Sequence, residues 1–142
     1  MIGYSPKDIW RVRGPISQGV ASGPGRLIHV TGQIAFDQSR SVVGKGDVVR
    51  QMQLCFDHIE RILEGFGGDL SDVTTLTVFY TDASQIEQIR AVWAAAFGKA
   101  GTTPACVMIQ VAGLVHPDLL VELIPTAVIA EDRFRDPMKV GS

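Results

Sequence analysis

The stretch Val73–Tyr80, V-T-T-L-T-V-F-Y, constrains the fold more than any other part of the chain. It is dense in β-branched and aromatic residues, which suit a pleated, half-buried surface. Side chains of a strand alternate, so Leu76, Val78 and Tyr80 share one face while Thr75, Thr77 and Phe79 share the other. A strand with one strongly apolar face needs a cover, and the segments on either side of it supply one.

Upstream, Met52, Cys55, Phe56, Ile59, Ile62, Leu63 and Phe66 recur at helical spacing, with Arg50, Glu60 and Arg61 off that stripe. Asp47 is placed to cap this helix, Gly67-Gly68 to stop it, and Cys55 falls in the core. Downstream, Ser84 and Glu87 have the spacing of a capping box. Ile86, Ile89, Trp93, Ala96 and Phe97 form a second stripe ending near Gly98, with Arg90 at its border.

The rest of the chain reads as strands and turns. Met1–Arg13 has no strong periodicity, and a short strand is expected within Ile16–Ala21 after the Gly14-Pro15 turn. Leu27–Thr31 is a strand behind Gly23-Pro24-Gly25, and residues 36–46 read as a loop. Thr102–Val111 opens on Pro104 into a further strand, and Leu119–Leu123 is expected to return beside it as an antiparallel hairpin. Pro125 cannot donate to a ladder, so a bulge or an edge is expected before Thr126–Ala130 resumes. The polar tail, residues 131–142, is expected to be loosely ordered.

The pattern implies an α/β (α+β) chain: a mixed sheet with two helices on one face. Its other face carries apolar residues, most simply covered by copies of the same chain. A length of 142 residues suits a single domain spanning residues 1–142. The formal charge of −2 is scattered along the chain, so nucleic acid is not an expected partner. With no signal-like or membrane-length apolar run, a cytoplasmic location is expected. Cys55 and Cys106 match neither a redox pair nor a metal knuckle, and His29, His58 and His116 share no ligand spacing. No metal and no cofactor is expected.

Several ordered blocks carry a family likeness: G-P-I-S-Q-G-V at 14–20, V-T-G-Q-I-A at 30–35, I-L-E-G-F-G-G ending at Gly68, the stretch 70–80, T-P-A at 103–105, V-A-G-L at 111–114 and L-L-V-E-L at 119–123. On these the chain resembles the Rid/YjgF group of reactive-intermediate imine/enamine deaminases, also called L-PSP endoribonucleases. The resemblance implies a chorismate-mutase-like (YjgF) fold and a homotrimer with three small-molecule clefts, each lined by two subunits. It also implies site positions at Ile16, Thr31, Gly32, Arg90, Ala105, Cys106, Met108 and Glu122.

This sequence departs from the family pattern at several of them. The family's deaminases carry a carboxylate-binding arginine after Pro-Ala, where this chain has Cys106. A two-residue deletion before Cys106 would shift the alignment and leave the arginine equally absent. Ile16 replaces a site tyrosine, Arg90 a site asparagine and Met108 a common cysteine, while Thr31, Gly32 and Glu122 match. Losing an arginine–carboxylate pair costs roughly 1.5–3 kcal/mol. Arg90 is either the replacement cation or a solvated residue with a packed stem. Cys106 is either a nucleophile, if a base or cation activates it, or a small contact residue, and a neighbouring Glu122 would raise its pKa. Glu122, a carboxylate in an apolar strand, is either a general base orienting water or half of an interface salt bridge. The readings that follow are an imine/enamine deaminase with altered substrate recognition and a non-catalytic metabolite-binding or regulatory trimer. An endoribonuclease is disfavoured by the charge balance and the lack of an acid/base pair.

Overall fold

The structure is a computed structural model, described here for residues 1–139. Its main sheet contains β3 (Arg26–His29), β4 (Val73–Tyr80), β5 (Ala105–Gln110) and β6 (Val121–Ile129), in the order β3-β6-β4-β5. A separate two-stranded sheet pairs β1 (Ile2–Tyr4) with β2 (Gly19–Ala21). Two helices, α1 (Val48–Gly65) and α2 (Ile86–Ala100), cover one face of the main sheet. Leu76 and Val78 of β4, Leu123 and Ile129 of β6, and Ile59 and Phe97 of the helices are buried between the layers. The mixed sheet with two helices on one face is the expected fold. Among the described residues no helix is long and apolar enough to cross a membrane.

The terminal strands differ from the expected hairpin. β5 lies at the sheet edge, parallel to β4, and β6 runs antiparallel between β3 and β4. β4, α2 and β5 thus form a crossover unit, the connection that parallel neighbours require. Placing β6 centrally gives it ladders on both sides, which a hairpin at the edge would not.

Pro125 does not interrupt β6. The irregularities lie on both neighbouring strands: on β4 the register against β6 shifts between Val73 and Thr75, and on the other side, between the pairs His29–Thr126 and Gln33–Leu123, the three residues Val30, Thr31 and Gly32 face only Ile124 and Pro125. The second is a bulge, and it places Thr31 and Gly32 beside β6 where Pro125 has no N–H to offer. Gln33 and Leu123 then exchange hydrogen bonds of 2.8 and 3.0 Å.

Asp47 caps α1 as expected, accepting the Arg50 N–H at 3.0 Å. The second helix starts and ends differently. Asp82 accepts from Ser84 and holds a short 3₁₀ turn over Ala83–Gln85, so α2 begins at Ile86 and the Ser84–Glu87 box does not form. Helix α2 runs past Gly98 to Ala100, and Gly101 supplies the left-handed cap with φ +71°. The strand β1 escapes sequence detection because its three residues are exposed and show no alternation.

The tail is packed against the body as far as Arg135, and Met138 beyond it is exposed. Arg133 pairs with the buried Asp72, Phe134 stacks on Phe66 at 6.3 Å, and Arg135 N–H donates to Phe66 O at 2.9 Å. The backbone at Arg133 lies against Gly67, whose φ of +87° and missing Cβ admit it. Residues 140–142, the rest of the expected loose tail, lie outside the described residues.

Candidate functional site

A cavity of about 550 Å³ opens between the β5 edge, α2 and the segment from Trp10 to Gln18. That segment is an arm, tied back to the sheet edge at several points. Ser17 N–H donates to Pro104 O at 3.1 Å, and the Ser17 hydroxyl shares a 2.8 Å hydrogen bond with Thr103. Gln18 donates from its side chain to Trp10 O at 2.7 Å. Trp93 of α2 packs beneath Gly14, where a Cβ would stand 3.1 Å from the ring and where φ is +80°.

The β4–β5 register fixes what β5 presents to the cavity. Cys106 lies opposite Leu76 and Met108 opposite Val78, both of which face the helices. Cys106 and Met108 therefore share the helix-side face, and with Ile16, Ala105 and Trp93 they make the apolar wall. Five of the eight sequence-derived positions meet here: Ile16, Arg90, Ala105, Cys106 and Met108.

Three arginines line the same cavity: Arg11, Arg13 and Arg90. No carboxylate is among the described lining residues. Arg90 is held by Glu87, one turn earlier on α2, at 2.7 Å. Exposed pairs of this kind contribute only about 0.3–0.5 kcal/mol, so Arg90 can exchange Glu87 for another anion at little cost. Among the described residues, Arg11 and Arg13 have no ion-pair partner. Trp10, Arg11 and Arg13 were not legible as site residues: they carry no periodicity, and only the return of the arm against β5 brings them to the cavity.

Thr31, Gly32 and Glu122 lie elsewhere. Glu122 pairs across the ladder with Phe79, on the sheet face away from the helices, whereas Cys106 points to the helix side. Glu122 is half-buried and reaches over Gly32, where a Cβ would stand 2.7 Å from its Oε1. It has no ion-pair partner among the described residues. Thr31 is exposed, and its carbonyl accepts from the Gln33 side chain at 3.0 Å.

The expected influence of Glu122 on Cys106 is therefore not found within one chain. Burial alone pushes the Cys106 thiol up to about 11. The carboxylate acts instead on Cys55, pushed up to about 12 mainly by burial and secondarily by Glu122. Burial thus disfavours the thiolate form of both cysteines within one chain. His116 has a structural role, accepting the Asp118 N–H on Nδ1 at 3.1 Å and meeting Phe36 edge-on.

A family model described as Endoribonuclease L-PSP matches residues 9–129. The chain belongs to the Endoribonuclease L-PSP family. Solved structures place it among that family's Rid/YjgF proteins. A conserved Rid family protein of unknown function from Yersinia pestis shares 26% identity at a TM-score of 0.82, covering 90% of this chain and 98% of that one. A Mycobacterium tuberculosis member of the YjgF/YER057c/UK114 family shares 31% at a TM-score of 0.64, covering 75% and 82%. TdcF from E. coli, solved with bound serine, shares 26% at a TM-score of 0.67, covering 92% and 100%. In this L-PSP family chain the arm is part of the matched region, so Arg11 and Arg13 belong to the family domain and not to an appended tail.

Proposed function

We propose that this protein is a homotrimeric hydrolase of imines or enamines whose clefts form between subunits and whose substrate recognition differs from that of its arginine-bearing relatives. The observation that carries this reading is Glu122, a half-buried carboxylate without an ion-pair partner among the described residues, seated against the Gly32 bulge. An uncompensated carboxylate in an apolar setting is costly, and such a cost is retained where the group is used. The cavity and Glu122 occupy opposite sides of the sheet in one chain, so a complete site needs the cavity of one subunit and the Glu122 of the next. Exposed Val107 and Ile109 on the open sheet face support such an assembly.

In this reading Glu122 takes a proton from water as the oxygen bonds to the imine carbon, and that proton passes to the nitrogen. The carbinolamine hydroxyl then gives its proton, by way of Glu122, to the nitrogen as the carbon–nitrogen bond breaks, leaving ammonia and the carbonyl product. Backbone groups at the Gly32 bulge orient the water. Ile16, Ala105, Cys106 and Met108 contact the substrate, Thr31 and Gly32 frame the base, and Arg90 supplies a cation.

The second reading is a non-catalytic metabolite-binding trimer, favoured by the presence of Cys106 where the deaminases hold an arginine. TdcF, a relative solved with serine bound, sets a precedent for a small amino-acid ligand in this fold. An endoribonuclease is the weakest reading, since among the described residues lining the cavity there is neither a carboxylate nor a histidine to serve as an acid/base pair. The deciding experiment measures ammonia release from a panel of imino acids against their spontaneous hydrolysis. Turnover that Glu122→Ala abolishes supports the enzyme, whereas no acceleration by the wild type on any member overturns it.

A further inference from the structure

We infer that the N-terminal arm is the anion clamp of the cavity, with Arg11 and Arg13 binding the carboxylate of a ligand whose flat, aromatic body lies between Trp10 and the apolar wall. This deepens the reading of the cavity as the ligand site and rests on it.

Three observations converge. The first is charge: within one chain, Arg11 and Arg13 face a cavity with no carboxylate among its described lining residues, and neither has an ion-pair partner among the described residues. Arg90, already tethered to Glu87, is the third cation and not the first. Guanidinium forks match carboxylates bidentately, so two unpaired forks at one mouth favour an anion over any neutral ligand.

The second observation is the aromatic lining. Both tryptophans of the chain line this one cavity. Trp10 is 72% exposed, a large apolar surface left in water at the rim, and Trp93 is 3% exposed at the inner wall. The Trp93 indole N–H is buried without a hydrogen-bond partner in the chain, an unusual state for a tryptophan. A flat apolar ligand covers Trp10 in a way that a three- or four-carbon acid does not.

The third observation is size and wall chemistry. At about 550 Å³ the cavity falls in the range that encloses ligands of drug size. Ile16, Met108 and Cys106 form an apolar floor in which a small polar acid would leave water unreplaced. The substitution at Cys106 fits this arrangement, because it removes a long cation from the floor and leaves room for a ring while the charge is supplied from the arm.

The test uses the tryptophans as reporters, with 3-phenyllactate, a stable aromatic hydroxy acid, as the probe. Lactate keeps the carboxylate without the ring, and 1-phenyl-2-propanol keeps the ring without the carboxylate. In the assembled wild-type protein, phenyllactate is expected to change tryptophan emission saturably, with each control at least ten-fold weaker. The Arg11→Ala/Arg13→Ala protein, altered only at exposed positions, should bind phenyllactate roughly ten-fold or more weakly. Equal binding by the double variant, lactate matching phenyllactate, or no saturable change overturns the clamp. Ammonia release is scored separately. Turnover with arginine-independent binding refutes the clamp alone, and arginine-dependent binding without turnover refutes the hydrolase alone.

Discussion

Gly32 and Glu122 are matched by shape: a Cβ at Gly32 would stand 2.7 Å from the Glu122 carboxylate oxygen and 3.2 Å from its Cγ. The glycine is thus the floor on which the carboxylate rests. The backbone does not require a glycine there for its φ, since Gly32 is not among the positive-φ residues.

Gly32→Ala therefore tests position and not backbone strain. The added methyl must push the Glu122 side chain aside, which a half-buried carboxylate can do at a cost of about 1–2 kcal/mol. If Glu122 is the base, imine hydrolysis falls by ten-fold or more while the thermal midpoint moves by only a few degrees. Undiminished turnover with the same small thermal shift would mean that the carboxylate's placement is not catalytic.

Glu87 competes for Arg90. Removing its charge with Glu87→Gln frees a cation that lines the cavity, and the pair it breaks is an exposed one worth about 0.3–0.5 kcal/mol. Anionic ligands should bind a few-fold more tightly, and unfolding midpoints should stay within about a degree or two. Titration calorimetry with phenyllactate at low and high salt reads both the gain and its screening. No change in affinity would place Arg90 outside the clamp.

How far the sequence carried depended on whether a feature was local. The stripe from Met52 to Leu63, the Asp47 cap and the alternation of β4 each follow from neighbours a few residues away, and each is present. The partner of β5 was not legible, because hairpin and crossover readings of residues 105–130 share the same alternation and differ only in long-range pairing. The bulge expected at Pro125 falls on the flanking strands for the same reason: Pro125 signals a missing donor and not which neighbour adapts to it, and both the Val73–Thr75 and the Val30–Gly32 segments do. For the candidate site, five of the eight positions meet at one cavity, while Thr31, Gly32 and Glu122 lie on the other side of the sheet. Arg11 and Arg13 were hidden because an irregular arm has no period by which to place its side chains.

Gln51 holds the approach to β6 and should be among the costliest polar residues to lose. It is wholly buried, donates to Gly44 O at 3.1 Å and Asp118 O at 2.9 Å, and accepts from Leu120 N–H at 2.8 Å. Gln51→Met keeps the length of the side chain and strands three backbone groups, for a loss of about 2–4 kcal/mol. Urea unfolding should show the midpoint falling with an unchanged slope. A loss below about 0.5 kcal/mol would mean that water replaces all three bonds.

The thiols set an alkaline limit. Cys55 is pushed up to about 12 from an ordinary 9.0, so the fold prefers its neutral form. Above pH 9 the unfolded chain releases that proton first, binds fewer protons than the native state, and gains in relative stability. The contribution is whole below pH 9 and is lost as pH rises towards 12. Cys106, pushed up to about 11, adds a loss of the same sign that ends earlier. Relative to wild type, Cys55→Ala should be clearly less stable at pH 8, and the gap should narrow by pH 11. A gap that stays constant across that range would refute the assignment.

Cys106→Arg introduces the residue type that the resemblance to the Rid/YjgF deaminases implies at this position, but in a cavity that already holds three arginines. Two opposing effects follow. The new guanidinium brings a carboxylate clamp to the floor, where, in the proposed assembly, a small imino acid can reach both it and the Glu122 of a neighbouring subunit. It also fills the space left by the thiol and adds a fourth like charge, which costs affinity for a bulky ring. The variant should therefore gain hydrolysis of an alanine-derived imine while binding phenyllactate more weakly, an inversion of preference and not a uniform loss. Size-exclusion chromatography, expected to give three times the 15.3 kDa chain mass if the proposed trimer forms, tells whether the variant assembles as the wild type does. A loss of both activities in an intact trimer would mean that the floor cannot accept the arginine. A gain of both would mean that the arm contributes no anion binding of its own.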